Sequence, residues 1–403
     1  MSSNCQSITN ISLDGTQVFG ADKKGGALSV RQGRPRQGAL STYPQQIREL
    51  IVDIREKNPG WGALNIRLEL EVKYKLGKED LPSTDSIYRF IKEKGLVPEK
   101  IPRSSLPESV ASKVKDFHDL WEMDAQGAEK VNGLGYIAMI NIKDVKSKAY
   151  VSSFPTLVSS AKTKPKTDCY LWAMRFGFEQ FGLPKTIQVD RDTAFIDSKP
   201  TSPFPSLIHL FLIGLGIDLQ FIKVPPPSKQ AVVERSHQTM ERQVLRGKSY
   251  GCWHELLVNT DYRRKMMNEH FPSRSLNRQA PLQAFPAATH SGRTYRLEEE
   301  EELLDINRVE SYLASCTWYR KTAKNKVLSL HGKPYYVKHA ASNVYLKIKF
   351  DPKEQKLIFY DDKELVVQQI EVGAFVRKLL KQPPVNELLK TKEKILTQSD
   401  FIL

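Results

Sequence analysis

The chain has 403 residues and carries 61 Lys and Arg against 46 Asp and Glu, a formal net charge of +15 at pH 7. An apolar content of 40% with 9% aromatics is that of a folded chain with room for several cores, and the basic excess favours polyanionic partners, nucleic acid first among them. Four widely spaced cysteines (Cys5, Cys169, Cys252, Cys316) without a CxxC pair argue against a disulfide scaffold or zinc ribbon, and the lack of a leader-like or membrane-length apolar run points to a soluble, cytoplasmic protein.

Residues 1–40 are rich in Ser, Gly and Gln, with a basic stretch Arg31-Gln32-Gly33-Arg34-Pro35-Arg36. They read as a flexible arm, suited at most to a minor groove. Over 41–98, three short helices are predicted. Ile47, Leu50, Ile51 and Ile54 form one stripe. Asn58-Pro59-Gly60 breaks that helix, and Trp61-Gly62 opens the second, with Ala63, Ile66 and Leu70 inward. Ser83 is the expected N-cap of a third helix built on Ile87, Phe90 and Ile91. A compact connection between the second and third helices makes this a helix-turn-helix reading, with Asp85, Ser86, Tyr88, Arg89 and Lys92 offered to DNA. A generic three-helix bundle is the plainer alternative.

A linker at 99–112 leads to a catalytic-core candidate at 113–250. Strands are expected at 120–126, 135–142, 148–154, 186–190 and 218–222, and helices at 161–181, 203–214 and 229–246. Early hairpins followed by strand–helix alternation imply a mixed sheet with helices on its faces. Residues 251–312 read as a helical connector, whose acidic run Glu298 to Glu302 suggests a solvated face. Cys252-x-His254 is the nearest approach to a metal-ligand pair and reads as structural. Alternating Val344, Leu346, Ile348 and Phe350 mark 313–371 as a small β-barrel with a lysine-rich outer face, and 372–403 as a tail.

Three carboxylates stand out. Asp124 lies in Leu120-Trp121-Glu122-Met123-Asp124, Asp190 closes Thr186-Ile187-Gln188-Val189-Asp190, and Glu234 sits in Val232-Val233-Glu234-Arg235 at the start of a helix behind Pro225-Pro226-Pro227. Hard oxygen ligands of this kind suit Mg²⁺ or Mn²⁺, and two such ions can activate an attacking oxygen and neutralise a leaving one in phosphodiester chemistry. On the helix of Glu234, Val233, Met240 and Val244 are the expected buried stripe. Arg235, Arg242 and Arg246 are the expected phosphate-facing side chains, with Gln238, Glu241 and His237 close to Glu234. Asp144, Asp192, Asp197 and Asp218 compete for the ligand roles, Asp192 most of all.

These residues resemble those of the DDE transposases of bacterial insertion sequences, which carry a retroviral integrase-type catalytic core. The resemblance runs from about Pro44 to about Ile370. It rests on Asn58-Pro59-Gly60-Trp61-Gly62-Ala63, Ser83-Thr84-x-x-Ile87-Tyr88-Arg89-Phe90-Ile91, the Asp124 strand, Gln188-Val189-Asp190-Arg191-Asp192-x-x-Phe195, and Val233-Glu234-Arg235-Ser236-His237-Gln238-Thr239. It implies an RNase H-like core in which Asp124, Asp190 and Glu234 hold two Mg²⁺ or Mn²⁺ ions per active site. It further implies end cleavage followed by strand transfer, with double-stranded DNA (terminal inverted repeats and target) and a homodimer or higher oligomer as partners. Such a protein would be associated with the nucleoid when bound. The sequence departs from the pattern at Arg191-Asp192 and Gln230-Ala231, where the family often has Asn-Gly, and in a longer Asp190-to-Glu234 spacing. A non-catalytic, sequence-specific DNA-binding protein derived from a transposase is the second expectation.

Overall fold

Residues 38–77, 80–97, 114–190, 194–195, 202–222, 231–381 and 383–397 are described in this computed structural model, the side chains of Ala231, Val232 and Glu234 excepted. The basic stretch at Arg31 to Arg36 and the linker at 99–112 lie outside the described residues.

Helices α1 (Gln45–Lys57), α2 (Ala63–Val72) and α3 (Thr84–Glu93) come first. Their stripes, Ile47, Ile51 and Ile54 with Ile66 and Leu70 and with Ile87, Phe90 and Ile91, close on one another beside Trp61. Ser83 caps α3, its hydroxyl accepting from the Ser86 N–H at 3.1 Å, which satisfies a first-turn donor with no intrahelical partner. One expectation is corrected here. The α2–α3 connection runs from Lys73 to Ser83, well beyond the turn of roughly three or four residues that defines a helix-turn-helix.

The core follows as β1 (Leu120–Val131), β2 (Gly135–Asp144), β3 (Tyr150–Val158), α4 (Thr167–Phe181), β4 (Thr186–Val189), α5 (Leu207–Gly214), β5 (Asp218–Phe221) and α6 (Ala231–Met240). The sheet order is β3-β2-β1-β4-β5. Its first three strands are antiparallel, and β4 and β5 are added parallel to β1. This is the mixed sheet expected of an RNase H-like core. Two helices start later than their periodicity suggests. Pro165 keeps Lys164 out of helical geometry, so α4 begins at Thr167, and Ser206 caps α5 from beyond Pro205. The third expected helix, 229–246, is interrupted: α6 ends at Met240 and a π-helical turn occupies Glu241–Leu245.

Helices α7 (Trp253–Glu269), α8 (Pro281–Ala284), α9 (Glu300–Leu303) and α10 (Ile306–Ser315) connect to strands β6 (Trp318–Lys321), β7 (Val327–Leu330), β8 (Lys333–Tyr336), β9 (Tyr345–Asp351), β10 (Lys356–Tyr360) and β11 (Val366–Glu371), then α11 (Phe375–Leu380) and α12 (Val385–Thr397). The expected barrel is corrected to two open sheets, β11-β10-β9-β6 and the hairpin β7-β8. Closure is unnecessary because helices cover the apolar face: Leu346, Ile348, Leu357 and Phe359 join one continuous cluster with Phe204, Val309, Leu313 and Phe375. The acidic run is not wholly solvated either. Glu300 is buried and takes both oxygens to Arg175, at 2.7 and 2.8 Å. Among the described residues, no helix is long and apolar enough to cross a membrane.

Candidate active site

The core sheet has two chemically different faces. On β1, Trp121 and Met123 point to α4, where Trp121 stacks on Phe178 with centroids 5.9 Å apart. Alternation sends Glu122 and Asp124 to the opposite face. On β2, Ile140 and Ile142 join the α4 side, while Ile137, Met139, Asn141 and Lys143 share the face of Asp124. That second face is itself divided. Ile137 and Met139 lie under the π turn and α7, with Met240, Val244 and Leu256. The polar half lies under α6.

Register builds the polar half into rows. Asp124 is paired with Asn141, and Asn141 with Ser153 on β3. On the other side of β1, Trp121 pairs with Ile187 and Glu122 with Gln188. The β1–β4 pairing ends at Glu122 and Gln188, and Asp190 follows Val189, the last residue of β4. The row across β1, β2 and β3 runs Asp124, Asn141, Ser153. A second row holds Gln188, Glu122 and Lys143.

Helix α6 is tied to these rows at two points. The Glu122 carboxylate accepts from the backbone N–H of Val233 at 3.2 Å. This is a first-turn donor at the positive end of the helix, where an acid is stabilising, so a strand residue performs the cap. One turn further on, His237 Nε2 lies 3.1 Å from Asp124 Oδ2, and His237 Nδ1 lies 2.8 Å from Asn141 Nδ2. The Ser153 hydroxyl donates to Asn141 Oδ1 at 2.7 Å. Asp124 Oδ1 accepts from the Ala125 N–H at 2.8 Å, and its side chain keeps 22% exposure.

Lys143 is buried over the Tyr150 ring, 4.0 Å from its centroid. Desolvation, joined by repulsion from Lys148, brings its pKa down to about 7, against the pull of Glu122. Lys148 is also held below the usual lysine range, by burial first. Basic groups therefore gather beside the acids of this face.

The sequence candidates divide accordingly. Asp124 lies on the face covered by α6, Asp190 follows the end of the neighbouring strand β4, and Glu234 occupies the first turns of α6. Asp144 is a structural residue: fully buried, it accepts from the His118 N–H, the Ser147 N–H and the Ser147 hydroxyl, at 2.8, 2.7 and 2.6 Å. Asp218 is exposed at the start of β5, and Asp192 and Asp197 lie outside the described residues. Hard carboxylate donors on a partly open face fit a divalent cation, although among the described residues no cluster of three or more His, Cys, Asp or Glu forms a metal group. Cys252 is buried, and His254 hydrogen-bonds the Leu396 carbonyl, a structural pairing.

The arginine stripe needs correction. The π turn adds a residue to the helical phase, so Arg235, Arg242 and Arg246 do not share the face that a continuous α-helix would give them. Arg235 and Arg246 are exposed, but the Arg242 backbone packs on the three-helix unit, where a Cβ on Gly60 would meet its carbonyl oxygen at 2.3 Å. This contact belongs to a polar junction that the sequence did not reveal. Arg263, 1% exposed, reaches Glu69 at 3.1 Å, Asn65 at 3.2 Å and Gln243 at 2.5 Å, and stacks 4.0 Å from the Trp61 ring centroid. Trp61 Nε1 donates to the Gln243 carbonyl at 3.2 Å. Asn58 to Gly62 thus form a docking loop between the three-helix unit and the segment just after α6. On α3, Asp85, Tyr88, Arg89 and Lys92 are exposed as expected, while Ser86 is half-buried and bonded to Ser83.

Glu122, Asn141, Ser153, Gln243 and Arg263 were missed as site or junction residues. The available signal was a polar Asn141 inside the otherwise apolar run Ile137 to Ile142, with Lys143 directly after it, a pattern that demands buried partners.

No family model matches the chain. Among solved structures, the magnesium-bound integrase catalytic core of HTLV-2 is similar over 41% of this chain and 95% of its own, at 15% identity and a TM-score of 0.30. The BIV integrase catalytic core covers 42% and 95%, at 13% identity and a TM-score of 0.31. The simian T-cell lymphotropic virus intasome in complex with the PP2A regulatory subunit B56 gamma covers 76% and 96%, at 11% identity and a TM-score of 0.32. Likeness this distant transfers no residue role; the fold rests on the strand order itself.

Proposed function

We propose that this chain is a metal-dependent polynucleotidyl transferase of the DDE transposase type, cutting and joining DNA strands. The observation that supports the reading is that Asp124 lies on the sheet face beneath the helix of Glu234, while Asp190 directly follows the neighbouring parallel strand β4. Asp124, Asp190 and Glu234 would hold Mg²⁺ or Mn²⁺, two ions in the full site. When bound, the ions supply activation of the attacking oxygen and charge neutralisation at the leaving one.

The chain's own residues prepare the site. His237 and the Ala125 N–H fix the two oxygens of Asp124. Glu122 holds the first turn of α6 against β1. Arg235, exposed on α6, would contact the phosphate backbone of a duplex, and Arg89, Lys92 and Tyr88 of α3 would contact a second stretch of the same DNA. Strand transfer needs two DNA ends in one complex, so the active species is a homodimer or larger.

The test is nicking and strand transfer on supercoiled plasmid and short duplexes with Mg²⁺ or Mn²⁺. Asp124→Asn, Asp190→Asn and Glu234→Gln should each lose cutting and retain DNA binding in gel shifts. Cutting that survives in any one variant removes that residue from the site. Binding without cutting by the unmodified chain would favour the non-catalytic DNA-binding alternative.

A further inference from the structure

The four groups Ser153, Asn141, His237 and Asp124 form a hydrogen-bonded chain. Asn141 and Ser153 are buried, Asn141 completely, so each polar atom needs its partner inside the protein. Ser153 donates its hydroxyl hydrogen to Asn141 Oδ1. The amide then presents Nδ2, a donor only, to His237 Nδ1 at 2.8 Å. An imidazole nitrogen facing a donor must carry its lone pair there, which places the ring hydrogen on Nε2. Nε2 in turn faces Asp124 Oδ2 at 3.1 Å and donates to it. Reversing the amide would turn the Nε2 lone pair of a neutral ring toward a carboxylate, which is repulsive.

We propose that Asn141, backed by Ser153, locks His237 as the Nε2–H tautomer, and that His237 is thereby a positioning residue for the Asp124 carboxylate. The inference deepens the phosphoryl-transfer reading above and rests on it for the cation that Asp124 would hold. Each oxygen of Asp124 receives one hydrogen bond, Oδ1 from Ala125 and Oδ2 from His237. The plane of the group is then set before a cation arrives. Second-layer hydrogen bonds of this kind are typically worth roughly ten- to a hundredfold in metal affinity. The arrangement also explains the polar row: Asn141 sits directly opposite Asp124 in register, the one β2 position from which a side chain can reach a ring lying over both.

Two measurements on the full chain test this, neither requiring turnover. In a ¹⁵N-histidine-labelled sample, the His237 signals, assigned by their loss in His237→Gln, should show a protonated Nε2 and an unprotonated Nδ1, and Asn141→Leu should abolish that preference. Calorimetric titration with Mg²⁺ should show affinity falling roughly tenfold or more in His237→Phe and Asn141→Leu. His237→Gln, whose amide nitrogen can take the place of Nε2, should retain most of the affinity, and it separates lost positioning from lost folding. A protonated Nδ1 in the unmodified chain, or unchanged Mg²⁺ affinity in His237→Phe, overturns the proposal. Asp124→Asn separates the two levels of the argument. If it binds Mg²⁺ as the parent does, the phosphoryl-transfer reading fails. If it loses Mg²⁺ while His237→Phe does not, that reading stands and the positioning role is gone.

Discussion

The core sheet and the C-terminal four-stranded sheet both carry polar side chains on one face, and they treat them in opposite ways. In the core, the row Asp124, Asn141, Ser153 lies beneath α6, and each member has an assigned partner within 3.1 Å. In the C-terminal sheet, register places Tyr319, Lys347, Tyr360 and Val366 in one cross-strand row, and that face is open, with Tyr345 62% exposed and Tyr319 44%. Water can satisfy the open face. A covered face cannot rely on it, so its polar groups must be matched one to one. The comparison therefore predicts where substitutions are costly: under the helix, and not on the outer sheet.

The largest effect should come from the candidate acids Asp124 and Asp190. Asp124→Asn and Asp190→Asn keep side-chain volume, so circular dichroism and the urea midpoint should barely move while metal-dependent nicking falls to background. Next is the covered polar junction outside the site. Arg263→Leu leaves the buried Glu69 without its closest cationic partner, a change that typically costs about 3 kcal/mol or more. A loss below about 1 kcal/mol in urea unfolding would show that the junction is wetted and behaves like the open sheet.

A third test uses pH. Folding lowers the Lys143 pKa from 10.5 to about 7, so between those values the unfolded chain holds a proton that the folded chain has released. Stability from this residue must then rise with pH across that window and level off below it, by ~2 kcal/mol between pH 7 and 9. Comparing unfolding of the parent with Lys143→Met should reveal that slope in the parent alone; equal slopes would mean that the ammonium keeps its proton under the helix. The smallest effect belongs to the open face. Tyr345→Ser should change stability by no more than ~0.5 kcal/mol in thermal unfolding, and a larger loss would show that the outer row is covered in solution.

Local patterns made much of the architecture readable. Apolar spacing located the three N-terminal helices because each stripe is contiguous in sequence, and Ser83 announced its cap by position. Alternation in β1 placed Asp124 on a strand, whereas β4 ends at Val189, one residue before Asp190. The errors arose where distant segments decide. The π turn after Met240 broke the expected arginine stripe, and its Gln243 bonds Asn65 and Arg263 from other elements. Glu300 looked solvated until α4 brought Arg175 to it. The C-terminal strands suggested a barrel because alternation reports a buried face without saying whether strands or helices bury it.

Periodicity in the chain determined which residues are helical, which are extended and which face of each is apolar, since those properties depend on neighbours three or four positions away. Only the tertiary structure decided that Glu122 caps the helix of Glu234, that His237 stands between Asp124 and Asn141, and that Arg263 meets Glu69. Those partners are separated by 111, 113, 96 and 194 positions. Pairings over such distances are set by strand register and helix packing, and a buried polar group acquires its role only when they bring it a partner.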